Sequence, residues 1–123
     1  VHRRNNMIRN YCAANNKILY DFEDIESYNP DGVYYGDRYA TDSCNYDYNN
    51  NGRTEEQLIT WELPFTPING DRSWALDWQN SHTQNVDWYK TSVQPQHTHY
   101  LNANLKAYAA WWMWARIAGW DGP

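Results

Sequence analysis

The sequence predicts one loop-rich, α/β-derived domain of the α+β class that occupies residues 1–123. Apolar residues at helical spacing near both ends predict an N-terminal helix and a C-terminal helix. One short apolar run between them is typical of a buried strand, and the polar stretch after it predicts a long loop. A chain of this length can bury one modest core, and no internal repeat or linker divides it.

The N-terminal part is predicted to contain a helix, a strand and a loop in that order. Four residues recur at helical spacing within residues 3–14: Met7, Ile8, Tyr11 and Cys12. Residues 17–22 read Lys-Ile-Leu-Tyr-Asp-Phe and predict the one buried strand. Residues 24–47 are rich in Tyr, Asp and Asn and predict a loop, and residues 55–62 predict a short helical turn.

Two further helices are predicted towards the C-terminus. The first covers residues 71–81, and Asp71 is its expected N-cap because a carboxylate can accept from the free backbone N–H groups of a first turn. The second covers residues 103–118 with Asn102 as its expected N-cap. Gly119 is expected to end it, since glycine readily adopts the left-handed conformation found after helices.

The composition excludes some classes of partner. The net charge of −5 argues against nucleic acid, which calls for a basic surface, and no cluster of Lys and Arg suits anionic lipid. The most apolar stretch, residues 107–120, has about 14 residues and contains Arg116, so it is too short to cross a membrane. Eight Trp and eleven Tyr nevertheless make the chain rich in aromatic residues.

Three of the eight tryptophans lie in the last predicted helix, which is apolar on more than one face. Such a helix is either the central pillar of its domain or partly an interface with another subunit. A chain with few other elements can cover adjacent Trp side chains only with difficulty, so self-association is expected. The predicted interface residues are Trp111, Trp112, Trp114, Tyr34 and Tyr35.

Residues 47–56 resemble a calcium loop, because oxygen-bearing side chains alternate before a glycine. The predicted ligands are Asp47, Asn49, Asn51, the carbonyl of Arg53, Glu55 and Glu56. Gly52 would make the sharp turn, and Asp24 or Glu26 could complete the shell that Ca²⁺ requires. Leu58 occupies the position at which such loops usually carry their bidentate Glu. The alternative is a polar Asn-Gly turn that holds no ion.

Cys12 and Cys44 are compatible with one disulfide bond, and the alternative is two unrelated buried thiols. Closing a loop of roughly 33 residues would contribute about 3–4 kcal/mol in the chain-entropy model. A disulfide together with calcium favours an extracellular location. Because the sequence begins at Val1 and shows no leader peptide, we expect it to be a mature or processed segment.

Three blocks of the chain resemble a family of secreted bacterial and environmental proteins. They are residues 4–12 continuing into 16–32, residues 44–47 with the Asn-rich loop after them, and residues 101–120. In that family this region is similar to the C-terminal half of an SGNH (GDSL-like) hydrolase. The resemblance implies that His97 or His99, just before the last helix, occupies the neighbourhood of the base. The sequence contains no Gly-Asp-Ser segment, so a nucleophile and an oxyanion hole are missing.

The histidines and the aromatic residues of the loops are compatible with two other binding functions. His97 and His99 lie on alternate positions and, with His82 or His2, could chelate a second metal, although solvated histidines are the alternative. The Tyr-rich loop could stack on sugar rings together with four tryptophans: Trp61, Trp74, Trp78 and Trp88. Core packing or subunit contacts are the alternatives for these aromatic residues.

We therefore predict a secreted, non-catalytic structural module. Calcium and one disulfide would stabilise it, and exposed aromatic residues would drive association with further copies of itself into an extracellular filament or tube. The first alternative is the C-terminal half of an SGNH-like hydrolase with His97 or His99 as base. The second alternative is a carbohydrate-binding module.

Overall fold

Four α-helices and two pairs of two-residue strands form the regular structure of residues 2–57 and 66–122, which the computed structural model describes. The predicted α+β class and the abundance of loops are confirmed. The helices are α1 (His2–Ala14), α2 (Phe22–Ser27), α3 (Trp74–Ser81) and α4 (Tyr100–Ile117), with one 3-10 turn at Gly36–Arg38. The strands are β1 (Asn45–Tyr46), β2 (Glu56–Gln57), β3 (Thr66–Pro67) and β4 (Arg72–Ser73).

The strands pair antiparallel and connect loops that are distant in sequence. β1 pairs with β4, with Asn45 opposite Ser73. β2 pairs with β3, with Glu56 opposite Pro67, so the part of the predicted helical turn at 55–62 that is described is a strand instead. Residues 58–65 lie outside the described residues.

The core lies where β1, α3 and the first turns of α4 meet. Its buried apolar residues are Cys44, Tyr46, Trp74, Ala75, Trp78 and Leu101. Trp74 stacks on Tyr35 with ring centroids 6.0 Å apart, and its indole N–H donates to the carbonyl of Glu26 at 3.0 Å. The indole N–H of Trp78 donates to the carboxylate of Asp31 at 2.9 Å. Both large indoles therefore bury their rings while their polar groups remain hydrogen-bonded.

Helix α3 begins later than predicted, and its cap is a different residue. The hydroxyl of Ser73 accepts a hydrogen bond from the backbone N–H of Leu76, which makes Ser73 the N-cap. Asp71 is buried and accepts hydrogen bonds from the backbone N–H groups of Tyr48 and Glu55 instead. The predicted cap thus joins the loop before β2 to the start of β4.

Asn102 is not the cap of the last helix but a buried residue in its first turn. Helix α4 starts at Tyr100, and His99 occupies the cap position without a side-chain hydrogen bond. The amide of Asn102 donates to the carbonyl of Ile25 at 2.6 Å and accepts from the hydroxyl of Thr98 at 3.0 Å. This side chain therefore ties α4 to α2 across the core.

The prediction of a buried strand at residues 17–22 is wrong. Residues 17–21 belong to no helix or strand, and α2 already begins at Phe22. Ile18, Leu19 and Phe22 are 49, 37 and 54% exposed. A strand needs a hydrogen-bonding partner as well as apolar residues, and here the run lies beside α4 instead.

Helix α1 forms where it is predicted but buries none of its side chains. Met7, Ile8 and Tyr11 are all at least half exposed. Arg9 holds the helix to the rest of the domain through hydrogen bonds to the carboxylates of Asp21 and Asp24. Helical spacing of apolar residues correctly predicted the element, but not what it packs against.

Helix α4 is buried only in its first half, so it is not a pillar covered on most sides. Its buried residues are Leu101, Asn102 and Asn104. Trp111 and Trp114, further along, are 74 and 64% exposed. The helix ends as predicted, because Gly119 has a φ of +92°. Of the helices within the described residues, none has the length and apolarity needed to cross a membrane.

We expect Asn102→Ala to lower the free energy of unfolding by about 2–4 kcal/mol, because it leaves the carbonyl of Ile25 and the hydroxyl of Thr98 without their partner. Urea unfolding followed by circular dichroism measures this change. The matched control is Asn80→Ala, an exposed position on α3. A loss in Asn102→Ala no larger than in the control would contradict the structural role of this amide.

Candidate functional site

The predicted calcium loop is closed by hydrogen bonds from its side chains to its own backbone. One carboxylate oxygen of the buried Asp47 accepts from the N–H of Asn51 at 3.1 Å, and the other accepts from Gly52 at 2.8 Å. The amide oxygens of Asn49 and Asn51 each accept from the backbone N–H two residues further on. These are Asx turns, in which the alternating oxygens satisfy the backbone of the loop.

The remaining predicted ligands are also paired within the protein. Glu55 forms an ion pair with Arg53, while Glu56 accepts from the hydroxyl of Thr41 at 2.6 Å and from the amide of Asn45 at 3.2 Å. Two acidic residues proposed to complete the shell lie elsewhere. Asp24 pairs with Arg9 at 2.9 Å and Glu26 with Lys106 at 2.7 Å.

The prediction of a calcium-binding loop is therefore corrected. Residues 2–57 and 66–122 contain no group of three or more His, Cys, Asp or Glu that could hold a metal ion. Calcium requires six to eight oxygen ligands, and the carboxylates here are directed to backbone donors and basic side chains. The alternative reading, a polar Asn-Gly turn, describes the geometry of the loop. Sequence reasoning assigned Asp71 to a helix cap and missed its role in this loop, because its partners Tyr48 and Glu55 are distant in sequence.

The prediction of a disulfide between Cys12 and Cys44 is wrong, because both thiols are free. Cys44 is fully buried in the core, where its sulfur lies 3.7 Å from the hydroxyl of Thr98. Burial raises the pKa of this thiol well above its usual range. Cys12 is half-buried on α1, a helix that contacts residues 19–24 and contributes no residue to the core cluster around Cys44.

The histidines proposed as a base or as metal ligands occupy separate environments. His82 stacks on Trp78 with ring centroids 3.6 Å apart, and its Nδ1 lies 2.8 Å from the carbonyl of Trp78. His97 is exposed beside Asp42, with 4.0 Å between the ring nitrogen and the carboxylate. His99 is largely buried, and its Nε2 has no hydrogen-bond partner among the described residues. Burial lowers the pKa of His99 to about 4, which keeps the ring neutral at neutral pH.

The exposed half of α4 is the most distinctive surface of the described residues. Six residues at spacings of three and four share one helix face, and we call them the aromatic face: Ala107, Ala110, Trp111, Trp114, Ile117 and Ala118. Every one of them is apolar. Ile117 is 66% exposed, similar to the two tryptophans. Ala107 and Ala110 occupy the inner part of this face, and the bulky residues follow them towards the outer end.

The opposite face of the same half-helix lines an open cleft. Ala109, Trp112, Met113 and Arg116 form one wall, and residues 16–25 form the other. The cleft has a volume of about 680 Å³. The exposed end of Trp112 also contacts Trp120 edge to face, with ring centroids 4.9 Å apart. The two faces of α4 are thus separate surfaces.

The other predicted interface and sugar-binding residues are partly buried against one another, although Tyr28, Tyr39 and Tyr48 of the Tyr-rich loop are 40 to 56% exposed. Tyr35 packs against Tyr46 at 4.7 Å between ring centroids, and Tyr34 packs against Tyr28 at the same distance. Of the tryptophans proposed to stack on sugars, Trp74 and Trp78 are core residues, and Trp88 lies against Tyr100. Trp61 lies outside the described residues. The three tryptophans of α4 are the predicted interface residues that are exposed.

Comparisons of the chain with protein-family models, curated proteins and solved structures found no match. The resemblance to the C-terminal half of an SGNH hydrolase stays a prediction.

We expect Asp47→Ala to lower the free energy of unfolding by about 1–3 kcal/mol, because the N–H of Gly52 loses its acceptor and the N–H of Asn51 keeps only Asn49. The loss should be the same in calcium and in chelator, since the carboxylate serves the backbone. Thermal melts in both buffers measure it, with Asp37→Ala on the exposed side of the 3-10 turn as the control. A melting temperature that calcium raises in the native chain but not in Asp47→Ala would contradict the correction.

We expect the burial of His99 to make the fold less stable in mild acid. The ring ionises at about 6.5 in an unfolded chain but only at about 4 in the fold, so below pH 6.5 protons favour unfolding. Between pH 7 and pH 4.5 this contributes a loss of about 2–3 kcal/mol. Urea unfolding at a series of pH values measures the loss, which His99→Gln should reduce.

The control for this titration is His97→Asn, which replaces an exposed histidine and keeps a residue that tolerates the φ of +56° at that position. Its pH profile should follow that of the native chain, because this variant retains His99. The carboxylates that also titrate in this range are the same in all three proteins. Parallel profiles for the native chain and His99→Gln would show that the ring is not held neutral by burial.

Proposed function

We propose that the protein is a non-catalytic structural module that self-associates by packing the aromatic face of α4 against the same face of a second copy. One observation carries the proposal: Trp111, Trp114 and Ile117 project from an apolar helix face and are 64 to 74% exposed. Neither indole has a hydrogen bond or ring contact with the described part of the chain. Large apolar surfaces of this kind commonly mark interaction sites.

The exposed area supports a small interface between two copies. A Trp side chain presents up to about 250 Å², so Trp111, Trp114 and Ile117 together expose on the order of 400–500 Å². The alanines of the aromatic face add further apolar area. Two copies would therefore bury about 1,000 Å² in total, which is the lower end of the range for specific interfaces.

The arrangement of large and small residues supports a second copy as the partner. In an antiparallel pair of α4 helices, the bulky outer end of one copy would meet the small inner end of the other. Trp111 and Trp114 would then lie over Ala107 and Ala110 of the second copy, and the reverse contact would follow from the two-fold symmetry. Large residues that interdigitate with small ones are what close helix packing requires.

The charges around the face do not oppose such packing. Arg116 is the one charged residue within 107–118, and it lines the cleft on the opposite side of the helix. Two copies can therefore bring their aromatic faces together without burying an unpaired charge. The proposal concerns association only, because the disulfide and the calcium site that favoured an extracellular location are both corrected.

Sedimentation velocity over a range of protein concentrations tests the proposal. We expect the native chain of 14.7 kDa to form dimers or larger species, and Trp111→Ser combined with Trp114→Ser to shift it towards monomer by at least about tenfold in dissociation constant. Tyr89→Ser, which removes an exposed aromatic residue outside α4, is the matched control and should associate like the native chain.

A second variant separates specific packing from general stickiness. Ala107→Leu adds apolar area at an exposed position, so non-specific association would strengthen or stay the same. The proposed packing would instead weaken, because the larger side chain occupies the space that a tryptophan of the other copy fills. A native chain that remains monomeric at all concentrations, or an Ala107→Leu chain that associates more tightly, would refute the proposal.

A further inference from the structure

The chain contains two Asn-Gly pairs, and all four of their residues are exposed: Asn51, Gly52, Asn69 and Gly70. In such a pair the backbone nitrogen of the glycine can attack the side-chain amide of the asparagine, because the glycine has no Cβ to hinder the approach. Exposure does not distinguish the two pairs from each other. Their hydrogen bonds do.

The second pair forms the tip of the turn that joins β3 to β4. The N–H of Asp71 donates to the carbonyl of Ile68 at 3.0 Å, and φ is +52° at Asn69 and +87° at Gly70. Two positive φ values at the centre of a turn are typical of type I′, which Asn-Gly favours. The N–H of Gly70 and the side-chain amide of Asn69 have no hydrogen-bond partner among the described residues.

One hydrogen bond at this turn favours the reactive form of Gly70. Attack requires that the glycine nitrogen lose its proton, and resonance shares the resulting negative charge with the oxygen of the same peptide unit, the carbonyl of Asn69. The side-chain amide of Asn49 donates to this oxygen at 2.6 Å. A donor placed there stabilises the anion and therefore promotes its formation.

The corresponding groups of the first pair are held by the loop at residues 47–56. The N–H of Gly52 donates to the carboxylate of Asp47 at 2.8 Å, and the amide oxygen of Asn51 accepts from the N–H of Arg53 at 3.1 Å. A carboxylate beside the N–H opposes the loss of its proton, since a second negative charge would form next to the first. The folded loop therefore protects its own Asn-Gly pair.

We propose that Asn69 is a site of spontaneous deamidation and that Asp47 protects Asn51 from the same reaction. The nitrogen of Gly70 gives its proton to water and forms a bond to Cγ of Asn69. The bond from Cγ to the side-chain nitrogen breaks, ammonia leaves with a proton taken from water, and a succinimide ring remains. A water molecule then opens the ring at one of its two carbonyls, which yields Asp or isoaspartate.

The isoaspartate product disturbs the fold more than the Asp product does. It adds one carbon to the backbone of the turn that directly precedes Asp71. The carboxylate of Asp71 accepts hydrogen bonds from the N–H groups of Tyr48 and Glu55. Modification of Asn69 therefore acts on the contact that joins the loop at residues 47–56 to the start of β4.

Incubation of the folded chain in mildly alkaline buffer, followed by digestion and mass spectrometry of the peptides, tests the proposal. We expect Asn69 to be modified at least about tenfold faster than Asn51, because a charge-assisted hydrogen bond must break before Gly52 can attack. The control is the same chain in urea, where both pairs lose their folded environment and should react at similar rates.

Two variants test the hydrogen bonds separately, and circular dichroism verifies that each folds. Asp47→Asn keeps an oxygen acceptor but removes the charge, and should speed deamidation at Asn51 by about fivefold or more. Asn49→Asp keeps the oxygen that accepts from the N–H of Asn51 but removes the donor to Asn69, and should slow deamidation at Asn69. Asp37→Ala removes an exposed carboxylate elsewhere and should change neither rate.

The contrary outcomes are distinct. Equal rates at Asn51 and Asn69 in the folded chain, or an unchanged rate at Asn51 in Asp47→Asn, would overturn the proposal. So would an Asn69 that persists in the folded chain while the chain in urea loses it. Asn69→Asp, which has the Asp product without the added carbon, should melt like the native chain. A chain rich in isoaspartate should melt at a lower temperature, and equal melting of the two would overturn the effect on the turn.

Discussion

The fold depends on buried polar side chains that hydrogen-bond to the backbone of loops. Within the described residues, six apolar side chains are buried, against nine polar or charged ones. Fixing the backbone of one residue costs about 1–2 kcal/mol, so a small apolar core cannot order long loops by itself. Asp47, Asp71 and Asn102 provide the missing constraint, because each satisfies backbone groups from segments that are otherwise irregular. Their burial is tolerated because their hydrogen-bonding groups are paired.

This dependence explains why the calcium loop could not be distinguished from a turn in the sequence. Both arrangements place oxygen-bearing side chains at alternate positions before a glycine. The outcome is decided by where those oxygens point, and here Asp47 turns both of them to the N–H groups of Asn51 and Gly52. Asp71, which directly precedes β4, accepts a further hydrogen bond from the backbone N–H of Tyr48 in the same loop. That partnership is formed only in the folded chain, so no local pattern indicates it.

The sequence predicted local features better than those that require distant partners. The helices at residues 3–14 and 103–118 form within a few residues of the predicted bounds, because helical spacing and the glycine stop are local signals. The strand at 17–22 does not form, since a strand requires a partner that the pattern cannot identify. The candidate site shows the same contrast: the tryptophans of α4 are exposed, whereas Tyr35, equally aromatic, lies against the core.

The exposure of these tryptophans follows from the length of α4 and the position of the core. An 18-residue helix extends about 27 Å, and the core contacts it at Leu101 and Leu105, near its start. Its outer turns therefore extend beyond the elements that could cover them. Residues 16–25 reach one side of this extension and form the cleft, while the other side remains open. The tryptophans of α4 are thus exposed because the helix is longer than the part of it that the core covers.

Two faces on one helix can act independently only if occupancy of one does not alter the other. Trp112 and Trp114 lie on opposite faces of α4, so a second copy on the aromatic face would leave the cleft open. An effect of that copy on the cleft would have to act through movement of the helix. Asn102 and the bond from Tyr20 to Lys106 hold α4 in its inner half, before the exposed tryptophans begin. Packing on the outer turns would therefore alter the cleft only by bending the helix beyond these anchors, and any such coupling would be reciprocal.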